Sequence, residues 1–348
     1  MPEMSSPKRI QIVGGGLAGL ALGIALRKRE IPVTVFEAGN YPRHRVCGEF
    51  ISGRGLEVLD TLNLKQKFVA AGAVRAETAA FFLEKAGAPG RQLQVSALCL
   101  SRFVMDQLLA DEFQKLGGEL RVGERWQNSF GEGVVCASGR WAQPVAGGWR
   151  WFGLKVHAKN VLLAADLEMH LGANGYVGLC SLASGEVNVC GLFRGKSGGG
   201  PPGAGFDLLR GNPGTILHDR LARAEFDQKS YCSVAGLSLQ PQRAADQSEC
   251  CIGDALTMIP PVTGNGMSLA LESAHLAAGP IAGFSRGEIS WPQARETIAR
   301  LCDDTFSTRL RWAKRFQDAL FSPFWRNILF AFASRNDWFR RMAFEKTR

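Results

Sequence analysis

The chain has 348 residues, 46% of them hydrophobic, and a net charge of +9. This length and composition predict a large buried core in two lobes or in one large α/β unit. No apolar region precedes the first predicted strand, and the longest apolar run, residues 16–26, is too short and too rich in glycine to cross a bilayer. We therefore expect a cytoplasmic protein without a signal peptide or a spanning helix.

The first 39 residues have the pattern of a nucleotide-binding unit. Ile10, Ile12 and Val13 predict a buried strand, which leads through a glycine turn into a helix of small residues and then into a second strand at 33–36. The turn has the spacing G-x-G-x-x-G, which allows the backbone to approach a pyrophosphate at a helix N-terminus. The cofactor-binding residues predicted here are Gly14, Gly16, Leu17, Ala18, Gly19, Glu37 and Ala38.

Glu37 ends the second predicted strand, 23 residues after Gly14. An acid at this position accepts hydrogen bonds from a ribose, and its charge repels a 2′-phosphate. The unit is therefore predicted to bind FAD or NAD rather than NADP.

A second glycine-rich stretch, residues 250–279, reads as the end of an apolar strand, Gly253-Asp254, a loop with two prolines, and then a long helix. A helix N-terminus preceded by glycines can stabilise an anion, and reduced flavin carries negative charge. This stretch favours FAD over NAD.

These residues resemble the GD motif of FAD-dependent aromatic-hydroxylase-type monooxygenases, which flavin halogenases and geranylgeranyl reductases share. The resemblance implies an α/β fold: a Rossmann-type FAD-binding domain, an antiparallel β-sheet substrate domain and a C-terminal helical region. It also implies that Asp254 binds the ribityl or ribose part of FAD and that the helix N-terminus points at the flavin ring. The matching positions in this chain are Gly253, Asp254, Pro261, Gly264, Asn265, Gly266 and Met267.

Two shorter stretches carry the same resemblance. LSRFVMDQLLADEFQKLGGEL (100–120) is similar to the arginine-led helix of the family, which places Arg102 near the FAD phosphates. PRHRVCGEF (42–50) is similar to the segment after the second strand, which places Arg45 and Gly48 at the cofactor and Cys47 beside the flavin. Cys47 is then either a small side chain packed on the ring or a catalytic proton donor.

The sequence departs from the family at several points. CASGR (136–140) stands where a DG motif is expected, so that Ser138 replaces the aspartate. Of the Tyr-x-Trp-x-Phe-Pro motif of geranylgeranyl reductases only Tyr176 is present, and the Trp-x-Trp-x-Ile-Pro signature of halogenases is absent after Trp149. The glycine-rich segment 195–205 has no phosphate-loop ending and predicts a surface loop.

The domain boundaries follow from these motifs. Residues 1–148 and 230–300 are predicted to form the FAD-binding domain, and 149–229, with the option of adding 75–100, the substrate domain. Residues 301–348 are predicted to form a C-terminal helical cap, with breaks at Ser322-Pro323 and near Asn336-Asp337.

The last 44 residues contain ten Lys or Arg, three Asp or Glu and eleven aromatic residues. Residues 305–348 therefore predict either a cap on the substrate domain or a peripheral membrane contact. The clustered charge does not indicate a nucleic-acid partner, and the sequence leaves the oligomeric state open.

The nine cysteines have no CxxC spacing, and the five histidines form no HxxxH or HExxH pattern. We predict no metal site and no disulfide framework.

Three functions are compatible with these features. The first is an FAD-dependent monooxygenase that uses NAD(P)H, as a transient reductant, and O₂ to hydroxylate or epoxidise an apolar or aromatic small molecule. The second is a flavin-dependent C=C reductase of the geranylgeranyl reductase type, with Cys47 supplying a proton. The third is a degenerate FAD-binding protein without enzymatic activity.

Overall fold

The structure is a computed structural model and describes residues 6–88, 90–140, 149–196 and 205–335. In chain order its strands are β1 (Ile10–Val13), β2 (Val33–Glu37), β3 (Phe50–Ile51), β4 (Val74–Leu83), β5 (Ala86–Gly87), β6 (Arg91–Cys99), β7 (Glu119–Val122), β8 (Val134–Cys136), β9 (Trp149–Lys159), β10 (Leu167–Leu171), β11 (Gly175–Ser181), β12 (Val187–Lys196), β13 (Glu225–Ala235) and β14 (Cys250–Cys251). Its helices are α1 (Leu17–Arg27), α2 (Arg54–Thr61), α3 (Lys65–Ala70), α4 (Arg102–Lys115), α5 (Gly205–Arg210), α6 (Ile216–Arg220), α7 (Gly266–Ser285), α8 (Trp291–Leu320) and α9 (Pro323–Arg335).

The first sheet is parallel and carries the nucleotide-binding unit. Among the described residues it contains five strands in the order β14-β8-β1-β2-β7. Its central strands are largely buried, as their runs of Ile and Val predict, with α1 packed against them and α7 packed against α1. The predicted strand–helix–strand unit is confirmed.

The second sheet is larger and mixed, and it runs β13-β9-β12-β11-β10-β4-β6-β3 in the described part of the chain. The four strands predicted between residues 149 and 195 are present, and their pairs are antiparallel. The expectation of a purely antiparallel sheet is wrong at one place, since β10 pairs in parallel with β4. A long crossover joins these two strands, and such connections bring strands together in parallel.

Two features of the second sheet bear on the predicted boundaries of the substrate domain: one differs from them, and the other agrees with the option of adding residues 75–100. Strand β13 continues to Ala235 and crosses the boundary predicted at 229–230. Strands β4 and β6, which cover most of residues 75–100, belong to this sheet. The chain therefore enters the second sheet twice, first directly after the nucleotide-binding unit and again after β8.

Helix α8 packs along most of its length on α7 and the core of the nucleotide-binding unit, whereas its C-terminal end and α9 meet the second sheet. Helix α8 ends at Leu320 and α9 begins at Pro323, which is the break predicted from Ser322-Pro323. The guanidinium of Arg194 donates to the carbonyl of Phe321 over 2.9 Å, and that of Arg326 donates to the carbonyl of Gly172 over 2.7 Å. The break predicted near Asn336-Asp337 lies outside the described residues.

No helix in the described ranges is long and apolar enough to cross a membrane. The outer side of α9 nevertheless exposes aromatic rings, since Phe324 is 67% and Trp325 54% accessible to solvent. The peripheral membrane contact expected from the sequence therefore remains a prediction, and Phe324 and Trp325 are the residues that would make it.

This contact predicts that the protein co-sediments with vesicles of phosphatidylcholine and phosphatidylserine, but not with phosphatidylcholine alone, because basic and aromatic side chains together favour anionic surfaces. The double substitution F324S/W325S should abolish co-sedimentation. Leu162→Ser is the matched control, because Leu162 is 85% exposed on the loop between β9 and β10, outside α9. If the double variant binds as the wild type does, α9 is not the contact.

Candidate cofactor and substrate site

A cavity of about 1730 Å³ lies between the two sheets and extends under the C-terminal helices. Pockets that hold one drug-sized ligand measure roughly 300–1,000 Å³, so this cavity has room for more than one ligand. Fifteen of the eighteen residues predicted to bind the cofactor line it: Gly14, Gly16, Leu17, Ala18, Glu37, Ala38, Arg45, Cys47, Gly48, Arg102, Asp254, Pro261, Gly264, Gly266 and Met267.

The other three predicted residues, Gly19, Gly253 and Asn265, do not line the cavity. Gly19 and Gly253 are instead packing positions. A Cβ at Gly19 would overlap the carbonyl of Gly14, and a Cβ at Gly253 would come within 2.8 Å of the Cβ of Ala18. These glycines allow the backbone segments next to the cavity to pack closely. Asn265 is buried at the start of α7.

The first glycine turn has the geometry that the sequence predicts. Gly14 has φ of +112°, and a side chain there would overlap the backbone of Ala137. Gly16, by contrast, faces open space, since a Cβ built on it has its nearest described neighbour, the guanidinium of Arg45, at 3.9 Å. A ligand can therefore approach the backbone at Gly16.

Two helix N-termini face the same cavity. Gly16, Leu17 and Ala18 begin α1, and Gly266 and Met267 begin α7; all five line the cavity. The first N–H groups of a helix have no partner within the helix and carry partial positive charge. Two regions of the cavity are therefore suited to anionic groups.

Glu37 is held more firmly than the sequence suggests. One carboxylate oxygen accepts from the N–H of Gly15 (3.0 Å), and the other accepts from the N–H of Gly39 (2.8 Å) and pairs with Arg43 (2.7 Å). Burial would raise the pKa of Glu37, but the Gly39 N–H and the two neighbouring arginines outweigh it and lower that pKa. The carboxylate is thus ionised at the cavity wall, and Arg43 is a residue that the sequence analysis missed.

The two predicted arginines meet on one buried carboxylate. Arg102 binds both oxygens of Asp106 at 2.8 Å, and Arg45 binds one of them at 3.1 Å. Asp106 is fully buried and therefore fixes both guanidinium groups at the cavity surface. Their remaining N–H groups are positioned to contact phosphate.

Asp254 lies opposite these arginines, and no hydrogen bond joins its carboxylate to another described residue. Burial raises its pKa, an effect that Arg140, Arg102 and Arg45 oppose. A half-buried carboxylate that lines the cavity and has no protein hydrogen-bond partner among the described residues is suited to accept from a ligand hydroxyl.

The turn at Cys47 and Gly48 forms part of the cavity wall. Its carbonyl at Cys47 accepts from the side chain of Asn188 over 2.9 Å. The thiol lies beside Arg102 and the N–H of Glu49, yet burial dominates and raises the pKa of Cys47. The thiol is therefore protonated at neutral pH, which makes it an inert packing group or a proton donor and not a nucleophile.

Behind this turn lies a buried charge cluster, which we define as Glu49, Lys155, His157 and His44. Glu49 pairs with Lys155 over 3.3 Å and with the Nε2 atom of His157 over 2.7 Å. The Nζ atom of Lys155 also lies 3.0 Å from Nδ1 of His44. The carboxylate and both imidazoles could form a three-ligand metal group, but the ammonium of Lys155 lies among them and supplies the positive charge.

The cluster defines the protonation of His44. Burial and the charge of Lys155 lower the pKa of His44 to about 4. The neutral ring therefore accepts from the ammonium at Nδ1 and carries its proton on Nε2. The ring lines the cavity and stacks on Phe103 at 4.7 Å, so it presents a fixed N–H donor.

The far end of the cavity is mainly apolar. Strands β11–β13 and the loop after β14 contribute Leu192, Val234, Leu237 and Met258, and the C-terminal helices contribute Phe316, Leu320, Leu329 and Phe330. The hydroxyl of Tyr176 is buried there without a hydrogen-bond partner among the described residues. Burial raises its pKa well above the usual range, so it remains a donor.

The sequence analysis also missed the aromatic residues at the end of the cavity opposite its apolar region. Trp126 packs edge-to-face on Phe36, with ring centroids 4.8 Å apart, and lies at a tilted angle to Phe130 at 6.4 Å; all three line the cavity. The indole N–H of Trp126 is buried without a partner in the described ranges. Only the aromatic pair in an otherwise polar loop, RWQNSF, could have signalled this position.

The donor set fits FAD. The open approach at Gly16 and the fixed arginines suit a pyrophosphate, Asp254 suits a hydroxylated chain, and Trp126 offers a ring face and a free donor for a base. Two features do not match the simplest expectation: Glu37 already has protein partners, and Ser138 lines the cavity in place of an acid.

Comparisons with known proteins agree with this geometry. Residues 8–134 match the family model described as "FAD binding domain". No curated protein matches the sequence. This match confirms the FAD-binding domain that the sequence predicts, and the fold agrees with the predicted resemblance to FAD-dependent monooxygenases and flavin halogenases.

Three solved structures illustrate the likeness. The flavin-dependent brominase Bmp2 has a TM-score of 0.73 at 16% identity, over 99% of this chain and 93% of that one. The halogenase PltM has a TM-score of 0.72 at 14% identity, over 97% and 83% of the two chains. PqsL, a probable FAD-dependent monooxygenase from Pseudomonas aeruginosa, has a TM-score of 0.68 at 14% identity, over 91% and 97%. At these identities the likeness concerns the fold.

The protonation of His44 predicts that acid destabilises the protein before its carboxylates titrate. The unfolded chain binds a proton on His44 below about pH 6.5, and the folded chain does so only below about 4. The free energy of unfolding should therefore fall as the pH drops from 6.5 towards 4, with His170 contributing in the same direction.

Lys155, His157, Glu49 and Asp227 are the charged or titratable groups that act on His44. Urea unfolding at pH 7, 6 and 5 measures the slope, and His44→Gln should reduce it. The exposed His275→Gln is the control. An unchanged slope in the His44 variant would show that this ring is protonated in the folded protein.

Proposed function

We propose that this protein is an FAD-dependent monooxygenase that hydroxylates or epoxidises an apolar or aromatic small molecule with NAD(P)H and O₂. One observation carries the proposal: a single cavity joins a region built for a dinucleotide to a region built for an apolar molecule. FAD bound in the first region would supply the redox chemistry, and the protein would bind, orient and exclude water.

Different residues of the chain would carry out these tasks. Arg45, Arg102 and the N-terminus of α1 would hold the phosphates, and Asp254 a hydroxyl of the ribityl or ribose part. The N-terminus of α7 offers positive charge to a flavin ring that becomes anionic on reduction. The same interaction is stronger when water is excluded, which the C-terminal helices favour by covering the apolar region.

The substrate region supports an apolar substrate with a polar atom. Leu192, Leu237 and Phe330 would remove its surface from water, at about 25 cal/mol per Å² of apolar area. The hydroxyl of Tyr176 is the donor that could fix its orientation. NAD(P)H would dock transiently, since the described residues contain one glycine fingerprint, at 14–19, and that turn faces the proposed FAD region.

A C=C reductase is the second candidate, and the protonated thiol of Cys47 at the cavity wall favours it. A reductase needs a proton donor near the site of hydride addition, and a half-buried thiol with a raised pKa retains its proton until then. The monooxygenase does not require this group.

Substitutions at two glycines of the first glycine turn test cofactor binding. Gly16→Ala should fold normally, because the added Cβ meets no described atom closer than 3.9 Å, yet it should weaken FAD affinity by about tenfold or more by obstructing the pyrophosphate. Gly14→Ala should instead lower the free energy of unfolding by about 1–3 kcal/mol, owing to its φ of +112°.

Flavin fluorescence titration and urea unfolding measure these two effects. Purified wild-type protein should be yellow and release FAD on denaturation. Colourless protein that cannot be reconstituted with FAD would contradict the proposal.

The reaction type is tested by O₂ and by Cys47. A monooxygenase consumes O₂ with NAD(P)H in a manner that depends on an aromatic substrate, and Cys47→Ala should retain most of this turnover. A reductase saturates a double bond anaerobically, and Cys47→Ala should abolish that reaction. An oxygen electrode and anaerobic product analysis by mass spectrometry separate the two.

A further inference from the structure

We propose that Glu49 is a positioning residue whose carboxylate, held by Lys155, His157 and the N-terminus of α4, fixes the Cys47–Gly48 turn against the bound cofactor. This inference rests on the proposed FAD function, because it concerns the wall of the same site. It assigns a purpose to a buried charge cluster that binding of phosphate or substrate does not require.

Three donors from two separate elements converge on the carboxylate. The N–H of Arg102, at the start of α4, donates to Oε1 over 2.9 Å, and the ammonium of Lys155 lies 3.3 Å from the same oxygen. His157, two residues further along β9, lies 2.7 Å from Oε2. One side chain thus joins the turn to α4, the helix that begins with Arg102, and to the sheet that borders the substrate region.

The backbone of Glu49 also indicates a fixed conformation. Its φ is +60°, a left-handed conformation that residues other than glycine rarely adopt and that persists where the surroundings determine it. Its carbonyl accepts from the N–H of Leu100 over 3.0 Å. The strained conformation directs the chain from the cavity wall into β3 while the carboxylate points into the protein.

The turn itself is left available to a ligand. Asn188 holds the Cys47 carbonyl from the sheet side, and Asn188 is fully buried. Within the described ranges, the backbone N–H groups of Cys47 and Gly48 have no protein hydrogen-bond partner, and both residues line the cavity. A turn that is anchored at both ends and has free donors is suited to contact a cofactor ring.

Stability of the sheet does not by itself explain the charges. Lys155 and Glu49 are both completely buried, and apolar side chains of similar size are often as stabilising as a buried ion pair. Lys155 also stands among apolar neighbours in β9, where Leu154 and Val156 fill the core on the opposite face. Buried charges beside a cavity are more often found at functional sites.

Glu49→Gln is the first test. An amide has one acceptor oxygen where the carboxylate has two, and its NH₂ group would face one of the three converging donors. At least one buried donor then loses its partner, so the turn should shift. We expect the Kd for FAD to rise about ten- to hundredfold and the visible circular dichroism of the bound flavin to change.

Lys155→Met is the second variant. It retains the other two donors to Glu49, and it keeps the inference testable if the Glu49→Gln protein does not fold. The two substitutions should move the flavin reduction potential in opposite directions. Loss of the negative charge raises it, and loss of the positive charge lowers it, because reduced flavin is anionic. A role limited to sheet stability moves neither the potential nor the dichroism.

Glu272→Gln is the matched control. It breaks another buried ion pair, in which Arg309 binds both carboxylate oxygens at 2.9 and 2.6 Å, and neither residue lines the cavity. This variant should lower the Tm and leave FAD affinity and flavin dichroism unchanged.

The inference is overturned if Glu49→Gln and Lys155→Met bind FAD with wild-type affinity and dichroism, or if Glu272→Gln perturbs the flavin as strongly as they do. A wild-type protein that binds no FAD would instead refute the proposed function. The two failures are therefore distinguishable.

Discussion

The architecture depends on the passage of the chain from one sheet to the other between Glu37 and Phe50. This link leaves the parallel sheet at β2, forms the wall of the cavity, and enters the mixed sheet at β3. The charges of Glu49 and Lys155 connect its last turn to β9, deep in the second sheet. This link therefore joins the nucleotide-binding unit, the cavity wall and the second sheet in a short stretch of chain.

Alternating charges stabilise the polar half of the site. Glu37, Asp106 and Glu49 each hold basic partners, and each is almost completely buried. Glu37 and Asp106 fix the arginines at the cavity wall, Glu49 fixes the buried Lys155 behind it, and the acids compensate most of the positive charge. A dinucleotide pyrophosphate would meet preorganised donors rather than flexible side chains, which reduces the entropy lost on binding.

The apolar half of the site has a different origin. It is formed where the face of β11–β13 meets α8 and α9, so residues about 150 positions apart in the chain contribute to one surface. The side chains there are mainly apolar, so their shape rather than their chemical type decides which molecule fits. The hydroxyl of Tyr176 is the polar exception and would orient a bound molecule.

The sequence alone determined the nucleotide-binding unit, the GD region and the break between the last two helices. Those features depend on local rules: glycine where φ is positive, an apolar strand, an acid at its end, and proline after a helix. Fifteen of eighteen predicted cofactor residues line the cavity for that reason. Gly19 and Gly253 belong to the same motifs, and a Cβ at either would collide with the backbone of Gly14 or the Cβ of Ala18, so both are positions of close packing.

Only the tertiary structure decided which distant residues meet. Lys155 and His157 are an isolated lysine and histidine in an apolar strand, and no spacing rule connects them with Glu49, more than one hundred residues earlier. The parallel pairing of β10 with β4 and the aromatic wall at Trp126 depend on the same long-range contacts. Sequence patterns report what a segment does locally, whereas the partners of a buried charge are set by how the sheets pack.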